Sequence, residues 1–253
     1  MIDVSIIIPT KNNYKVLKNC LDNLWESEKK INYEVILFDN GSDQQEVLDY
    51  YKTIEDKATI VMNDQNYHFS KANNLAVDYA KGKYLLFLNN DTIPQPNFLT
   101  ELINCFENHT RVGIVGAKMF FPNSTKIQHI GAIIRADGLP THQHYGKDYN
   151  DINIKNLADQ ERKCVGVTFA CALMPTKLFK EIGGLDEKYI NGFEDIDFCF
   201  KLKEKGYKIL YCPKSFLYHI EHGSGMITNE HFQKNATLFL QKWHRKLSTV
   251  NVL

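Results

Sequence analysis

Apolar residues in the first part of the chain alternate between two spacings. Continuous apolar runs predict strands that are buried on both faces; these runs are Val4–Pro9, Val35–Phe38, Thr59–Met62, Tyr84–Leu88 and Val112–Val115. Between them, apolar residues recur every three or four positions and predict helices over residues 16–24, after a capping box formed by Ser42 and Gln45, over residues 70–81, and from Pro96 onward. Strands that alternate with helices predict an α/β fold, with a mainly parallel sheet covered by helices on both sides.

The second part of the chain has a less regular pattern. Residues 124–163 are rich in polar residues and glycine, and they predict loops and short strands. Further elements are predicted as a strand at Val165–Met174, an amphipathic helix at Phe193–Gly206, and strands at Ile209–Cys212 and Leu217–His222. The residues after Thr228 predict a helix that packs back on the body. The pattern therefore predicts a single α/β domain with a helical extension.

Charge balance and the length of the apolar runs exclude several classes of function. The 253 residues include 30 basic and 30 acidic side chains, so no overall field attracts nucleic acid. The longest apolar runs are too short to span a bilayer, and Met1–Val4 lacks the features of a signal peptide. The six cysteines form no CxxC pair, which favours reduced thiols. We therefore expect a cytoplasmic protein with at most peripheral membrane contact, through Lys242–Lys246.

Two acidic residues, Asp39 and Asp91, follow predicted strands directly. In parallel sheets, ligands bind at the carboxyl ends of the strands, so both residues are candidates for a binding site. The glycine-rich GxGxxG and GxxxxGKS phosphate cradles are absent. A bound diphosphate would therefore need a divalent cation, which carboxylates prefer to ligate. Taken singly, each acid also fits ordinary turn chemistry. Likewise, Asp195 fits an acid at a helix N-terminus, and His219 fits a buried core histidine.

The order of these signals along the chain is more specific than any one of them. From residue 3 to about residue 225, the chain resembles the inverting glycosyltransferases of family 2, which have the GT-A fold. It is most similar to their bacterial rhamnosyltransferase-like and O-antigen-like members. The segments that carry the resemblance are Val4–Thr10, Phe38–Ser42, Asn66–Asn74, Leu88–Thr92, Gly183–Tyr189, Phe193–Asp197 and His219–Ser224.

The resemblance implies roles for residues that bind a sugar nucleotide. Residues 1–118 would form the half that binds the nucleotide sugar, residues 119–227 the acceptor and catalytic half, and residues 228–253 a C-terminal helical extension. Pro9 and Thr10 would line the nucleotide pocket. Asp39 would contact the base, uracil or thymine, or the ribose, and Asn74 would lie near the nucleotide.

The resemblance also implies a metal site and a base. Asn89-Asn90-Asp91 occupies the position of the family's DxD motif and would contact the nucleotide sugar, with Asp91 binding Mn²⁺ or Mg²⁺ and His219 adding a further ligand. Asn89 replaces the first acid of that motif, so a single carboxylate remains. Asp195 would be the catalytic base, and Glu194 would position the acceptor or the donor. Asp197 lies about 200° around the predicted helix from Asp195, so the two cannot share one cleft-facing role.

The resemblance thus implies transfer of a sugar from a UDP- or dTDP-sugar to a hydroxyl group, with inversion at the anomeric carbon. The acceptor would be a glycan or lipid-linked glycan in the synthesis of bacterial surface polysaccharide or glycoconjugates. Two other classes stay open. A nucleotidyltransferase that makes sugar nucleotides would normally carry a glycine-rich basic loop where this chain has Pro9–Asn13. A non-catalytic carbohydrate-binding module would not need Asp91, Asp195 and His219 together.

Overall fold

Strands and helices alternate along the chain in the computed structural model, which describes residues 2–221 and 228–247. The strands are β1 (Val4–Thr10), β2 (Tyr33–Asn40), β3 (Thr59–Asn63), β4 (Tyr84–Leu88), β5 (Thr92–Pro94), β6 (Val112–Phe120), β7 (Ile127–His129), β8 (Ala132–Ile134), β9 (Pro140–His142), β10 (Arg162–Lys163), β11 (Cys171–Pro175) and β12 (Lys208–His219). The helices are α1 (Tyr14–Ser27), α2 (Gln45–Lys52), α3 (Phe69–Ala76), α4 (Phe98–Glu107), α5 (Ile152–Ala158), α6 (Thr176–Ile182), α7 (Glu194–Glu204) and α8 (Asn229–Leu247).

One large sheet organises the molecule, with its strands in the order β10-β12-β6-β11-β4-β1-β2-β3. The strands β3, β2, β1 and β4 are parallel, so their carboxyl ends meet at one edge. Beyond β4, the strand β11 is antiparallel to both β4 and β6, whereas β12 is parallel to β6. The predicted α/β fold is confirmed, and its second half is a mixed sheet.

Side chains of the central strands alternate between two apolar layers. Ile6 and Ile8 belong to the layer that contains α1, α2 and α4, whereas Ile7 belongs to the layer that contains α3, α6 and α7. Because successive strand residues point to opposite faces, a strand covered on both faces must be apolar at every position. This explains why the central strands read as continuous apolar runs.

The helix α8 packs on α7, as the sequence predicts for the residues after Thr228. The ring of Phe200 on α7 contacts the rings of Phe239 and Trp243 on α8, with centroids 5.5 and 5.2 Å apart. Phe239 is fully buried. Across residues 2–221 and 228–247, no helix has both the length and the apolar character needed to cross a membrane.

Two helix starts differ from the prediction for local reasons. The capping box of Ser42 and Gln45 is absent, because α2 begins at Gln45 and the Ser42 hydroxyl donates instead to the Asp39 carboxylate. The helix expected from Pro96 begins at Phe98, because Asn97 has a left-handed backbone with φ of 63°.

Three other boundaries differ as well. The helix predicted over residues 70–81 ends at Ala76 and continues as a 3₁₀ turn through residue 79. The strand predicted at Val165–Met174 is shortened to β11. The two late strands are one strand, β12, with an irregular register where Pro213 has no N–H to donate. The apolar pattern predicts neither α5 nor α6.

Candidate functional site

A cleft of about 610 Å³ opens at the carboxyl edge of β1, β2 and β4. In the strand order β3-β2-β1-β4, the strand that follows β1 in the chain lies on one side of β1, and β4 lies on its other side. The order of the strands therefore reverses at β1, and α/β sheets bind ligands at such a topological switch point. The cleft is lined by Pro9, Thr10, Lys11, Asn12, Asn40, Asn66, Tyr67, His68, Phe69, Ala72, Asn89, Asn90, Asp91, Thr168, Phe169, Ala170, Asn191, Gly192, Glu194, Asp195, His219 and Glu221. Most of the residues expected from the sequence therefore share one space.

One end of the cleft is built by the loops after β1 and β2 and the segment before α3. The Asn40 side chain holds Tyr67 at both backbone positions: its oxygen accepts from the Tyr67 N–H at 2.9 Å, and its Nδ2 donates to the Tyr67 carbonyl at 2.7 Å. The Asn12 N–H donates to the Ser42 hydroxyl at 2.7 Å, which joins the first two loops. These bonds fix the walls of this end.

Asp39 lies beneath this end of the cleft and has no exposed surface. Its carboxylate accepts a hydrogen bond from the Ser42 N–H at 3.0 Å, another from the Ser42 hydroxyl, and one from the Tyr51 hydroxyl at 2.7 Å. Asp39 is absent from the cleft lining, whereas its neighbour Asn40 is part of it. The Asp39 carboxylate therefore holds the turn after β2 in place through its hydrogen bonds from Ser42.

Asn74 is not brought to the cleft. Its side-chain amide makes a two-way pair with the Leu185 backbone, accepting from the N–H and donating to the carbonyl, both at 2.9 Å. Gly184 packs so closely that an added Cβ would lie 2.7 Å from the Asn74 oxygen. In this structure Asn74 therefore ties α3 to the loop before Leu185, two residues beyond the cleft-lining Ala72.

The centre of the cleft contains the carboxyl end of β4. The Asn90 side chain donates to the Thr10 hydroxyl at 2.9 Å and so ties this end to that of β1. Asp91 is 3% exposed, and its Oδ1 lies 3.0 Å from Nε2 of His219 at the end of β12. The Asn89 amide nitrogen is 3.3 Å from the same ring nitrogen.

Gln128 determines which nitrogen of His219 carries the proton. The Gln128 amide nitrogen donates to the His219 carbonyl and to Glu221, so its oxygen faces Nδ1 of His219 at 2.7 Å. Nδ1 is therefore the donor of that bond. The lone pair of Nε2 then faces the Asp91 oxygen at 3.0 Å and the Asn89 amide nitrogen at 3.3 Å.

The donor set fits a divalent cation only in part. A carboxylate and an imidazole whose second nitrogen is hydrogen-bonded form a common arrangement of metal ligands. Within residues 2–221 and 228–247, however, no group of three or more His, Cys, Asp or Glu residues could hold a metal ion. A cation held by Asp91 and His219 would need its remaining ligands from a bound diphosphate and water. Ser224, the last residue of the matching segment, lies outside the described residues.

A tight turn presents two carboxyl groups at the far side of the cleft. Phe193, just before α7, has a left-handed backbone with φ of 74°, and the Gly192 N–H donates to the Glu194 carboxylate at 2.6 Å. Burial raises the pKa of Glu194 to about 8, and the charge of Asp195 adds to this shift. Burial also raises the pKa of Asp195 to about 6, although hydrogen bonds from the Ile196 amide and the Thr168 hydroxyl favour its charged form.

Asp197 points away from the cleft, as the helical spacing predicts. It is fully buried between α7 and α8, where its Oδ1 accepts from the Trp243 indole at 2.9 Å and from the Tyr189 hydroxyl at 3.1 Å. Lys201 and Lys242 neutralise its charge at 3.3 and 2.5 Å. Asp197 therefore joins the two helices, while Glu194 and Asp195 face the cleft.

The sequence pattern gives no role to several residues that line the cleft or support it from outside. Asn40 and Lys11 are neighbours of predicted residues at strand ends, so position alone was a usable signal. Thr168 lies in an irregular part of the predicted strand Val165–Met174, and Glu221 lies in the segment His219–Ser224, whose resemblance gives a role to His219 but none to Glu221. Gln128 acts through His219 from a distant strand, and a spacing rule cannot find such a contact.

Comparison with known proteins assigns the chain to a family. The model of the family described as "Glycosyl transferase family 2" matches residues 5–183. Among curated proteins, the uncharacterized protein y4gI of Sinorhizobium fredii is 31% identical over 87% of this chain and 25% of its own length. The O-antigen biosynthesis protein RfbC of Myxococcus xanthus is 29% identical over 87% of this chain and 17% of its own length.

A shorter relative matches nearly from end to end. The rhamnosyltransferase WbbL of Escherichia coli is 24% identical over 96% of this chain and 90% of its own length. The chain thus spans a quarter or less of y4gI and RfbC but most of WbbL.

Solved structures show the same fold. The structure of GalNAc-T7 with UDP, GalNAc and Mn²⁺ aligns with a TM-score of 0.77 at 16% identity, over 98% of this chain and 49% of that chain. The mannosyltransferase PcManGT of Pyrobaculum calidifontis, in complex with GDP-Man and Mn²⁺, aligns with a TM-score of 0.66 at 17% identity, over 96% and 64% of the two chains. The predicted GT-A fold is thereby confirmed.

Proposed function

Since the chain belongs to glycosyltransferase family 2, we propose that it moves a sugar from a nucleoside-diphosphate sugar to a hydroxyl group of a glycan acceptor, with inversion at the anomeric carbon. The observation that carries this proposal is the shared cleft. It places the Asp91–His219 pair and the carboxyl groups of Glu194 and Asp195 around one volume of about 610 Å³. The side with Asp91 and His219 suits a diphosphate, and the side with Glu194 and Asp195 offers a group that can accept a proton.

The donor is proposed to be a UDP- or dTDP-sugar whose nucleotide lies against Pro9, Thr10 and Asn40. A base and ribose fit the polar walls that the Asn40–Tyr67 bonds hold in place. Asp39 is proposed to support this end through Ser42 rather than to bind the base directly, because its carboxylate is fully buried and already hydrogen-bonded. Support for a nucleotide at this fold comes from GalNAc-T7, whose structure contains UDP.

A divalent cation, Mn²⁺ or Mg²⁺, is proposed to be held by Asp91 and His219. When bound, such an ion neutralises charge on the diphosphate as the sugar leaves. Gln128 orients the His219 ring so that Nε2 faces Asp91, and Asn90 anchors the end of β4 to Thr10. Two solved structures with this fold contain Mn²⁺, which supports a metal here.

Asp195 is proposed to be the general base. As the acceptor oxygen bonds to the anomeric carbon, the bond from that carbon to the diphosphate breaks, and the acceptor proton passes to the Asp195 carboxylate. A base works best when its pKa lies near the operating pH, and burial brings the pKa of Asp195 to about 6. Attack from the face opposite the diphosphate inverts the anomeric configuration.

Glu194 is proposed to position a sugar hydroxyl rather than to take the proton. Burial raises its pKa to about 8, so its carboxyl is mainly protonated at neutral pH. A protonated carboxyl can donate one hydrogen bond as well as accept others. Its acceptor capacity is partly used by the Gly192 N–H. The neighbouring Asp195 therefore takes the role of base, while Glu194 holds a ligand group beside it.

The acceptor is proposed to be a glycan or lipid-linked glycan of a bacterial surface polysaccharide or glycoconjugate. This step rests on the names of the relatives RfbC, an O-antigen biosynthesis protein, and WbbL, a rhamnosyltransferase. Glu221 also lines the cleft, and its carboxylate accepts from Tyr145 at 2.7 Å and from Gln128 at 3.2 Å. Such a reaction fits a cytoplasmic enzyme that contacts the membrane at most peripherally.

A nucleotide-release assay tests the proposed function. The protein is incubated with UDP- and dTDP-sugars, with Mn²⁺ or with EDTA, and free nucleoside diphosphate is measured. The proposal predicts release from at least one donor in Mn²⁺ and little in EDTA. Release of pyrophosphate from a nucleoside triphosphate and a sugar phosphate would instead indicate a nucleotidyltransferase. Binding of sugars without turnover of any donor would indicate a binding module.

A further inference from the structure

The helix α8 reaches the turn that carries the two cleft carboxyl groups. Asn235, in the first half of α8, is 1% exposed. Its Nδ2 donates to the Ile190 carbonyl at 3.0 Å and to the Gly192 carbonyl at 2.9 Å, and its Oδ1 accepts from the Ile190 N–H at 3.0 Å. One side chain thus satisfies three backbone groups within three residues of the turn. These backbone groups belong to Ile190 and Gly192, which lie just before Glu194 in the chain.

The turn that Asn235 contacts has a backbone conformation of high free energy. Asn191 and Phe193 have φ angles of 49° and 74°, in the left-handed region. A left-handed backbone costs an L-residue roughly 1–2 kcal/mol, and a bulky aromatic residue rarely adopts it. Such a conformation persists only where the surroundings enforce it. The enforcing contacts also come from α8, since the Phe193 ring packs against Phe232 and Phe239 with centroids 5.4 and 5.8 Å away.

The same turn is tied to the opposite wall of the cleft. The Asn191 side chain accepts from the N–H of Phe69, the first residue of α3, at 2.8 Å. Phe69 and Asn191 both line the cleft. The turn therefore bridges α8 and the nucleotide side, and its shape decides where the first turn of α7 points.

We propose that Asn235 is a positioning residue for Glu194 and Asp195, so that α8 is part of the apparatus that aims these carboxyl groups into the cleft. The three hydrogen bonds from Asn235 to Ile190 and Gly192 form a clamp on the turn. The function of the two carboxyl groups rests on the proposed glycosyltransferase activity, whereas the existence of the clamp does not. Without the clamp, the strained turn relaxes, the first turn of α7 moves, and water reaches Glu194. The contact between Asp197 and Trp243 joins the same two helices but does not touch the turn.

Two variants separate positioning from general support by α8. Asn235→Ala removes the clamp, and Trp243→Phe removes the indole bond to Asp197 while it keeps an aromatic ring. Hydrogen exchange of the backbone over residues 190–193 and the carboxyl titration of Glu194, followed by ¹³C NMR, are measured for both. Neither readout requires a known donor or acceptor. Thermal unfolding is recorded in parallel to compare the loss of stability.

The expected result differs between the two variants. In Asn235→Ala, the Ile190 amide exchanges at least about tenfold faster, and the Glu194 titration shifts toward the usual range of a glutamate, because the loosened turn hydrates the carboxyl group. In Trp243→Phe, the protein unfolds at a lower temperature, but exchange in the turn and the Glu194 titration stay at wild-type values. Equal behaviour of the two variants in the turn and in the titration would overturn the proposal.

A second variant covers the case in which Asn235→Ala does not fold. Asn235→Asp keeps an acceptor for the Ile190 N–H but loses both donors, so its turn is expected to exchange faster as well. With an active donor in hand, both Asn235 variants should lower kcat about tenfold or more and leave the affinity for UDP within about twofold. Normal kcat with faster exchange would show that the clamp exists but positions nothing, which also contradicts the proposal.

Discussion

At the scale of single residues, Glu194 and Asp195 are neighbours with different surroundings. Glu194 is 5% exposed and receives its main hydrogen bond from the Gly192 N–H, whereas Asp195 keeps some exposure to the cleft. Burial raises both pKa values, that of Glu194 further. Neighbouring titratable groups whose environments separate their pKa values are a mark of acid–base sites. Burial therefore favours the neutral form of both carboxyl groups.

The raised pKa of Glu194 predicts a stability that depends on pH. A carboxyl group whose folded pKa exceeds its unfolded pKa of 4.5 stabilises the fold fully below pH 4.5, and this contribution is lost as the pH rises through about 8. Glu194→Gln cannot ionise, so it should raise the free energy of unfolding by about 1 kcal/mol or more at pH 8.5. At pH 4 the variant should match the wild type. Urea unfolding at both pH values measures this, and a variant that is equally destabilised at both would contradict the assignment.

The pKa of Asp195 predicts how the reaction rate depends on pH. The base must be ionised, so turnover should fall about tenfold for each unit below a pH of about 6. Burial keeps this pKa high, and hydrogen bonds from the Ile196 amide and the Thr168 hydroxyl oppose it. Nucleotide affinity, measured by calorimetry over the same range, separates loss of the base from loss of binding. A rate that is constant from pH 5 to pH 8 would exclude Asp195 as the base.

The Asp91–His219 pair predicts a graded response to metal. His219→Ala should raise the Mn²⁺ concentration for half-maximal turnover by about tenfold or more, because the variant lacks the proposed imidazole ligand. Gln128→Leu keeps the ring but removes the bond that orients it, and loss of such a bond typically lowers metal affinity by about 10- to 100-fold. Titration of Mn²⁺ into the apo-enzyme assay gives both values. Full activity in EDTA would rule out the metal role.

At the scale of elements, the sequence predicts the strands better than the contacts between loops. Strand ends were readable because runs such as Val4–Pro9 and Tyr84–Leu88 are apolar on both faces and stop at polar residues. The sequence could not show that Asn40 would hold Tyr67 or that Asn74 would turn to Leu185. An amide side chain suits many partners equally well, and tertiary packing alone selects among them.

The turn before α7 shows the same limit. The helical spacing correctly separates Asp195 from Asp197, because 100° per residue is a property of every α-helix. The left-handed Phe193 that aims them depends on contacts with α8, about forty residues later in the chain. No local pattern predicts a bulky residue with a positive φ. Strained residues of this kind therefore emerge only from the three-dimensional structure.

The loop contact between β2 and α3 predicts a role for Asn40 in nucleotide affinity. Asn40→Ala removes three hydrogen bonds to Asn66 and Tyr67, so the segment that lines the nucleotide end should loosen. Calorimetric affinity for UDP should fall about tenfold or more. Asn63→Ala is the matched control, since its amide bonds only to the exposed Gln65 carbonyl near the same loop. Equal affinities for the two variants would show that the Asn40 contact does not shape the site.

At the scale of the whole molecule, the parallel half and the mixed half of the sheet each contribute residues to the site. The parallel strands β1, β2 and β4 bring three polar strand ends to one edge, and β12 returns beside β6 to bring His219 to Asp91. The first turn of α7 supplies the carboxyl groups from the opposite wall. The chain that forms this arrangement spans a quarter or less of the length of y4gI and RfbC.

Turnover by the Asp195→Asn variant tests whether Asp195 is the general base. The change keeps the shape of the side chain and an acceptor for the Ile196 N–H but removes the charge. Asp197→Asn makes the same chemical change two residues later on the buried side of α7 and serves as the control. We expect Asp195→Asn to bind UDP normally and to turn over at least about 10²-fold more slowly, while folded Asp197→Asn keeps turnover near the wild-type rate. Near-normal turnover by Asp195→Asn would show that Asp195 is not the base.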